Sequence, residues 1–140
     1  MATINTYLNF PGNTEEAFNF YKSVFGGEFS FFQRFKDTPE GADMSDEEKE
    51  KIMHVGLPIG KGGALMATDA LESQGFTLMQ GNNFNICITT ESEEETEKLF
   101  YGLSDGGKIL VPLEKASWGS YFGMFNDKFG ISWMVNYDYN

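Results

Sequence analysis

The sequence of 140 residues is poor in cysteine, and Cys87 is the only one. A single cysteine excludes a disulfide framework within the chain. Basic residues are also few: 10 Lys and Arg stand against 21 Asp and Glu, which gives a net charge of −11. A surface this negative repels phosphate backbones, so nucleic acid is not expected as a partner.

Long apolar runs are missing as well. No stretch approaches the roughly 20 apolar residues that span a bilayer, and the first residues lack the basic and apolar segments of a signal peptide. We therefore expect a cytoplasmic protein with no membrane partner. Hydrophobic residues nevertheless make up 41% and aromatic residues 16% of the chain, with 14 Phe. That composition predicts a single folded domain over residues 1–140 with a real core.

The chain repeats itself with an offset of 80 residues. This shift aligns Asn5 with Asn85, residues 20–21 (Phe-Tyr) with residues 100–101, and the glycine pair 26–27 with the pair 106–107. The matches fall at equivalent structural positions, which indicates two copies of one building unit. We place module one at residues 1–74 and module two at residues 80–140.

Each module shows the same order of elements. A strand with period-2 alternation is followed by a helix with an apolar stripe, begun by Asn13 in module one and by Ser92 with Glu95 in module two. A glycine pair ends each helix. Three strands then follow in each module, so the predicted strands are 4–10, 28–35, 53–59 and 64–69, then 84–90, 108–114, 120–126 and 131–137.

An acidic insertion at residues 37–50 distinguishes module one from module two. Residues 45–48 (Ser-Asp-Glu-Glu) predict a short capped helical turn within it. The insertion is either a solvated surface segment, which we favour, or a lid over a cleft. Residues 60–63 (Gly-Lys-Gly-Gly) predict a hairpin turn, because they match neither phosphate-binding glycine pattern and no helix follows.

Two βαβββ modules in one short chain resemble the vicinal oxygen chelate superfamily, which includes glyoxalase, bleomycin-resistance and extradiol dioxygenase proteins. Closer motifs resemble its PhnB-like branch, and they span nearly the whole chain. They are residues 7–10 (Tyr-Leu-Asn-Phe), 17–21 (Ala-Phe-Asn-Phe-Tyr), 53–55 (Met-His-Val), 65–70 (Leu-Met-Ala-Thr-Asp-Ala), 118–119 (Trp-Gly) and 125–133 (Phe-Asn-Asp-Lys-Phe-Gly-Ile-Ser-Trp).

The resemblance implies an α+β fold in which curved mixed sheets enclose a cleft. Metal-dependent members take ligands from the first and last strand of each module, typically two His and two Glu. The matching positions here are Asn5 and Asn85, with Met66 and Met134. These side chains are poor ligands for a hard or borderline divalent ion, so the sequence predicts no metal and no cofactor. The branch often carries a ubiquinone-pathway methyltransferase label, but the chain has no glycine-rich strand-turn-helix for a nucleoside cofactor.

Strand alternation selects the side chains that face the implied cleft. In each module, one face of the sheet packs its apolar side chains against the helix, and the other face is expected to line the cleft. The cleft face takes the odd-numbered residues of the first strand and the even-numbered residues of the last strand. Trp118 and Phe122 are added as aromatic residues at the pocket mouth, while Trp133 is assigned to the core. The predicted ligand-binding residues are Asn5, Tyr7, Asn9, His54, Met66, Thr68, Asn85, Cys87, Trp118, Phe122 and Met134.

His54 is the candidate catalytic residue. It is the only imidazole in the chain, and imidazole ordinarily exchanges protons near neutral pH. The alternatives are an orienting hydrogen-bond partner or a histidine at the sheet surface. Cys87 has no histidine at matching spacing to activate it, so we expect it to be unreactive. Asp69 is predicted to cap the turn at its strand end rather than to act in catalysis.

Three functions compete. The leading hypothesis is a homodimeric glyoxalase/bleomycin-resistance-like protein that binds a small molecule without the usual metal. The second is a metal-dependent lyase, isomerase or dioxygenase with atypical ligands, such as His54, Asn85 and a carboxylate. The third is a non-catalytic interaction module. Metal analysis separates the first two, and a preformed pocket favours binding over the third.

Overall fold

A computed structural model describes residues 2–139 and divides the chain into two compact units, residues 1–79 and 80–140. Each unit holds one four-stranded mixed sheet. The described residues contain three α-helices. The predicted α+β class with two βαβββ modules is confirmed. Within residues 2–139, no helix has the length and apolarity that a membrane crossing needs.

Module one has the sheet order β1-β4-β3-β2. Its first strand runs parallel to β4, and the remaining pairs are antiparallel. A parallel strand is expected after a helical connection, whereas strands joined by short turns pair antiparallel. Its elements are β1 (Thr6–Phe10), α1 (Thr14–Phe25), β2 (Phe31–Arg34), α2 (Asp46–Lys49), β3 (Ile52–Ile59) and β4 (Gly63–Asp69).

The core of module one lies between α1 and one face of its sheet. Ala17, Phe18 and Tyr21 recur at helical spacing and are fully buried. Phe10 meets Phe18 edge to face, with ring centroids 6.3 Å apart. Full burial of a side chain as large as Phe10 or Phe18 stabilises the fold by about 1.5–3 kcal/mol. This packing leaves the opposite face of the sheet for other contacts.

Module two repeats the arrangement with the order β5-β8-β7-β6. Phe100 of its helix packs against Phe125 with centroids 5.2 Å apart, and Trp133 is 1% exposed, as predicted for the core. Its elements are β5 (Ile86–Thr89), α3 (Glu93–Ser104), β6 (Lys108–Lys115), β7 (Ser120–Asn126) and β8 (Ser132–Asp138).

Three strands begin two or three residues later than the alternation predicts. β1 begins at Thr6, where pairing with Leu65 starts, and Ile4 is 100% exposed instead of lying in the core. β5 begins at Ile86 rather than residue 84, and β2 spans Phe31–Arg34 rather than 28–35. The difference arises because a strand is bounded by its hydrogen-bonded partner, which alternation within one segment does not locate.

The cap of α1 is formed differently from the prediction. Asn13 occupies the N-cap position, but its side chain makes no capping hydrogen bond. Asp69 supplies the acceptor instead, since its Oδ1 accepts from the Thr14 backbone N–H at 3.0 Å. In α3 the predicted cap is present: Ser92 accepts from the backbone N–H of Glu95 at 3.1 Å.

The insertion at residues 37–50 folds onto a small core of its own. Ser45 caps α2 as predicted, accepting from the Glu48 backbone N–H at 3.2 Å. Met44 is buried with Phe35 and Leu71. The segment therefore combines an acidic exposed side with an apolar anchor.

Candidate functional site

The face of the module-one sheet opposite α1 carries a mixed set of polar and aromatic side chains. Register places Tyr7 beside Met66 and Asn9 beside Thr68 on β1 and β4. On the other side of β4, Gly56 pairs with Met66, so β3 continues the same rows. The structure thus brings together the residues predicted for this face in module one, except Asn5.

His54 is the centre of this face. Its ring lies parallel to that of Phe31, with centroids 4.2 Å apart and planes at 20°. The Tyr7 ring is also near-parallel, at 5.6 Å and 17°, and its hydroxyl lies 3.0 Å from His54 Nδ1. β1 and β2 are the two edges of the sheet, so the three rings span it. We call Tyr7, His54 and Phe31 the aromatic cluster.

Phe31 was not predicted as a site residue. Its position depends on Gly56, because a Cβ there would lie 2.5 Å from Phe31 Cζ. The glycine leaves room for the edge of the phenyl ring beside β3, where the ring stacks on His54. The segment 29–32 (Phe-Ser-Phe-Phe) has apolar residues in both parities, which hid the orientation. A glycine inside a strand pattern was the available signal, since it marks close approach of another group.

A bulge just before His54 changes the faces of Met53 and Ile52. β2 pairs Gln33 with His54 but Arg34 with Ile52, so Met53 is the extra residue on β3. A bulge re-aims neighbouring side chains. Met53 was predicted as part of the core row, and it packs instead against the small core of the insertion. His54 and Ile52 therefore point to opposite faces although both numbers are even.

Proton transfer between Tyr7 and His54 is geometrically available. Burial raises the pKa of Tyr7, and a hydrogen bond with Thr68 opposes that shift in part. The phenol therefore keeps its proton at neutral pH and donates it to Nδ1, or it accepts a proton from Nδ1–H in the other tautomer. In the first arrangement Nε2–H is a donor, and in the second Nε2 is a base.

The corresponding face of module two is different in chemistry. Cys87 and Thr89 of β5 pair with Met134 and Asn136 of β8. Phe122 of β7 pairs with Asn136 and so lies on the same face. It occupies the place that His54 has in module one, so this face has no imidazole.

Trp118 lies in the turn between β6 and β7 and is 67% exposed. Its ring meets Phe122 at 5.8 Å with planes at 65°. The two side chains predicted for a pocket mouth therefore contact each other. Their roles in ligand binding stay a prediction.

The positions that hold metal in relatives of this kind do not fit a hard divalent ion here. Asn5 lies before β1 and Asn85 before β5, so neither amide stands within a strand. Met66 and Met134 offer thioethers, which such ions bind poorly. Among the described residues, no three His, Cys, Asp or Glu side chains come together as a metal site.

Two buried aspartates hold the architecture. Asp69 accepts from Thr14 N–H, from Thr14 Oγ1 at 2.6 Å and from Ile52 N–H at 2.7 Å. These bonds give Asp69 a structural role, but it caps α1 and holds β3 rather than capping, as predicted, the turn at its own strand end.

Asp127 has the same function in module two. It accepts from the backbone N–H groups of Phe129 and Ile131 and, at 2.9 Å, from Trp133 Nε1. These bonds tie the β7–β8 turn to the core. The motif at residues 125–133 is thus explained by folding rather than by chemistry at a site.

A charged pocket of about 390 Å³ lies at the start of α1, and the sequence did not predict it. Arg34 donates to both carboxylate oxygens of Glu15, at 2.9 and 2.8 Å, and lowers the pKa of that carboxyl. Lys51 donates to the Gly12 carbonyl at 2.9 Å. Arg34 and Glu15 thus form an ion pair and Lys51 binds the backbone, so these groups are engaged in holding the fold.

Comparison with known proteins identifies the family. A family model described as 3-demethylubiquinone-9 3-methyltransferase matches residues 2–136. The chain belongs to this family. Solved glyoxalase/bleomycin resistance proteins share its fold at 17% identity and below, a level that shows the fold alone. The family match groups the chain with PhnB-like proteins, and the solved structures show that it has the glyoxalase/bleomycin resistance fold.

Individual relatives match this chain over nearly its full length. Protein YjdN of Escherichia coli is 30% identical, with 95% of this chain and 93% of that protein covered. The crystal structure of protein PA1353 from Pseudomonas aeruginosa is 38% identical, covers 99% and 98% of the two chains, and has a TM-score of 0.86. A PhnB protein from Bacillus cereus, described as a putative 3-demethylubiquinone-9 3-methyltransferase, is 28% identical with a TM-score of 0.78 over 97% and 99%.

Membership of this PhnB-like family establishes the fold and the branch. A methyltransferase activity does not follow from membership, because one fold hosts many chemistries. The side chains on the two sheet faces are the remaining guide to function.

Proposed function

We propose that the protein binds a small molecule on the module-one face, over the aromatic cluster, without the divalent ion usual in the superfamily. The observation that carries this is the set of three near-parallel rings, Tyr7, His54 and Phe31, held on the side of the sheet that α1 does not cover. The stacked rings form a fixed aromatic group, and the phenol, the imidazole and neighbouring Thr68 offer hydrogen bonds.

The same face favours a ligand with an aromatic or unsaturated planar part. Asn9, Gln33, Met66 and Thr68 surround the cluster and are all uncharged. This uncharged lining suits an uncharged ligand, whose polar groups can form hydrogen bonds with the amide and hydroxyl side chains. The acidic surface as a whole adds a preference for cations over anions.

The test has two parts. Native mass spectrometry of the purified protein looks for a co-purified small molecule, and a fragment screen by NMR records shifts on isotope-labelled protein. We expect aromatic fragments to shift His54 and Phe31, and Phe31→Leu to weaken the best fragment at least tenfold. Tyr101→Phe is the matched control, since Tyr101 is an exposed ring on α3. Fragments that ignore the cluster would leave an interaction module as the better account.

An acid–base enzyme is the second candidate. The contact between Tyr7 and His54 Nδ1 at 3.0 Å favours it, because a phenol paired with an imidazole can move a proton to or from a bound carbonyl compound. Such an isomerase or lyase needs no metal. His54→Gln and Tyr7→Phe would then abolish turnover while leaving ligand affinity within about tenfold. If His54→Gln leaves turnover unchanged, His54 is not the acid–base residue, and small-molecule binding remains as the proposed function.

We also propose that the protein acts as a cytoplasmic homodimer and does not bind nucleic acid. Two-fold dimers are the commonest soluble assembly. Ile109, Leu110 and Val111 support self-association, since they are consecutive, exposed and located on β6, an edge strand. Cell fractionation tests the location, and sedimentation velocity of a variant at Val111 tests the dimer.

A further inference from the structure

Three sulfur-containing side chains lie in one row across the module-two sheet. Cys87 of β5 pairs in register with Met134 of β8, and Met134 pairs with Met124 of β7. Neighbouring strands are about 4.8 Å apart, and directly paired residues project from the same face. We call Cys87, Met134 and Met124 the sulfur row.

The sulfur row is on the face opposite α3. The residues that alternate with it, including Val135 and Phe125, are fully buried beneath the helix. Cys87 is exposed, while Met134 and Met124 are half-buried. The row is therefore reachable from solvent at its thiol end, and its thioethers are partly shielded from water.

We propose that the sulfur row binds a soft monovalent metal ion, with Cu(I) as the fitting case. Thiolate and thioether ligands select Cu(I), whereas carboxylate, carbonyl and water suit hard ions. Cys87 loses its proton to solvent on binding and supplies one negative charge, and Met134 and Met124 add neutral sulfur donors. No electron transfer is involved, because the ion enters and leaves as Cu(I).

Module one shows that this row is not a feature of the fold in general. The equivalent row runs from Tyr7 through Met66 to Gly56. It holds one thioether and no thiol, so it lacks the second and third sulfur ligands. Met66 therefore serves as an internal control for Met134. The inference does not depend on the proposed small-molecule site, which lies in the other module.

The experiment is an anaerobic titration of the full chain with Cu(I) in competition with a chromophoric Cu(I) chelator. We expect one Cu(I) per chain. Cys87→Ser should remove binding, and Met134→Leu and Met124→Leu should each weaken it at least tenfold. Met66→Leu should change the affinity less than twofold. Leucine and methionine are close in volume, so the folds should survive, which circular dichroism checks.

Ag(I) gives an independent readout, since it is a soft monovalent ion without redox chemistry under these conditions. In protein labelled at the methionine methyl groups, Ag(I) should shift Met124 and Met134 and leave Met66 unmoved. Equal shifts at all three would overturn the proposal. So would Cu(I) binding that survives Cys87→Ser, or binding that is lost in Cys87→Ser but unaffected by both leucine variants, since the ligand would then be a lone thiol.

Discussion

At the residue scale, the two buried aspartates explain why an acidic protein keeps carboxylates inside its core. Asp69 and Asp127 are 2% and 3% exposed, and each is surrounded by hydrogen-bond donors of the framework. Sequence alone shows an acidic residue at a strand end but not the donors that converge on it. The acceptor role is what makes these two positions intolerant of an amide.

Asp69→Asn and Asp127→Asn should each lower the free energy of unfolding by about 3 kcal/mol, because an amide places a donor against framework N–H groups. Urea unfolding measures this. Asp105→Asn is the control, since Asp105 is exposed. Only Asp127→Asn should also alter Trp133 fluorescence, as Asp127 bonds that indole. A loss below 1 kcal/mol at either buried site would contradict the structural role.

Tyr7 gives a second prediction at this scale. Burial raises its pKa above the ordinary value of 10.0. A raised pKa in the folded state means that Tyr7 contributes stability that is fully present below pH 10 and is lost as pH rises through the folded value. Tyrosine Cζ chemical shifts, assigned with Tyr7→Phe, should show Tyr7 titrating above pH 10. A midpoint at or below 10 would refute the partial burial of the phenol of Tyr7, a residue that is 44% exposed.

At the element scale, β3 is the strand on which the candidate site depends. Its glycine at position 56 makes room for Phe31 beside His54, and its bulge turns Met53 towards the small core of the insertion. Alternation correctly predicted the faces of Tyr7, Asn9, His54, Met66 and Thr68, because β1, β4 and residues 54–59 of β3 pair regularly. It missed Phe31 and misplaced Met53, since a bulge and a strand apolar in both parities carry no signature within one segment.

Gly56→Ala should displace the Phe31 ring, since the new Cβ would lie 2.5 Å from Cζ. We expect a loss of about 1–3 kcal/mol in the free energy of unfolding and loss of the ring-current shift of His54 protons. In a Phe31→Leu background the same change should cost less, which a double-mutant cycle measures. Gly81→Ala is the control, because its added Cβ meets nothing within 4 Å. Additive costs would exclude the contact.

The insertion provides the other prediction at this scale. Met44, buried with Phe35 and Leu71, is the anchor that holds residues 37–50. Met44→Ala should raise the rate of proteolysis within the insertion several-fold while the rest of module one remains folded, because the removed contacts belong to a separate small core. Asp43→Ala, at an exposed neighbouring position, should leave the rate unchanged. Global unfolding in Met44→Ala would show that the insertion is part of the main core.

At the scale of the whole molecule, duplication has produced two sheets of equal topology with different chemistry on their uncovered faces. Tyr7 and His54 in module one correspond to Cys87 and Phe122 in module two. The repeat could be found from sequence because glycine pairs and helix caps punctuate both halves alike. The sequence also shows that the two modules differ in their side chains. It does not show which of these side chains become neighbours, because the three rings and the three sulfur atoms come from different strands, whose register the sequence does not give.

Net charge and the exposed edge together set the expected assembly. Two chains carry 2 × −11 = −22, so self-repulsion opposes dimerisation and salt should strengthen it. Ile109, Leu110 and Val111 are 45%, 46% and 39% exposed on edge strand β6. Val111→Lys should produce a monomer in sedimentation velocity, because it places charge in an apolar edge contact. Ile4→Lys, at a fully exposed site outside any strand, should leave the dimer intact. If the protein is a monomer at every salt concentration, the proposed dimer is wrong. If Val111→Lys and Ile4→Lys have equal effects, the interface does not involve β6.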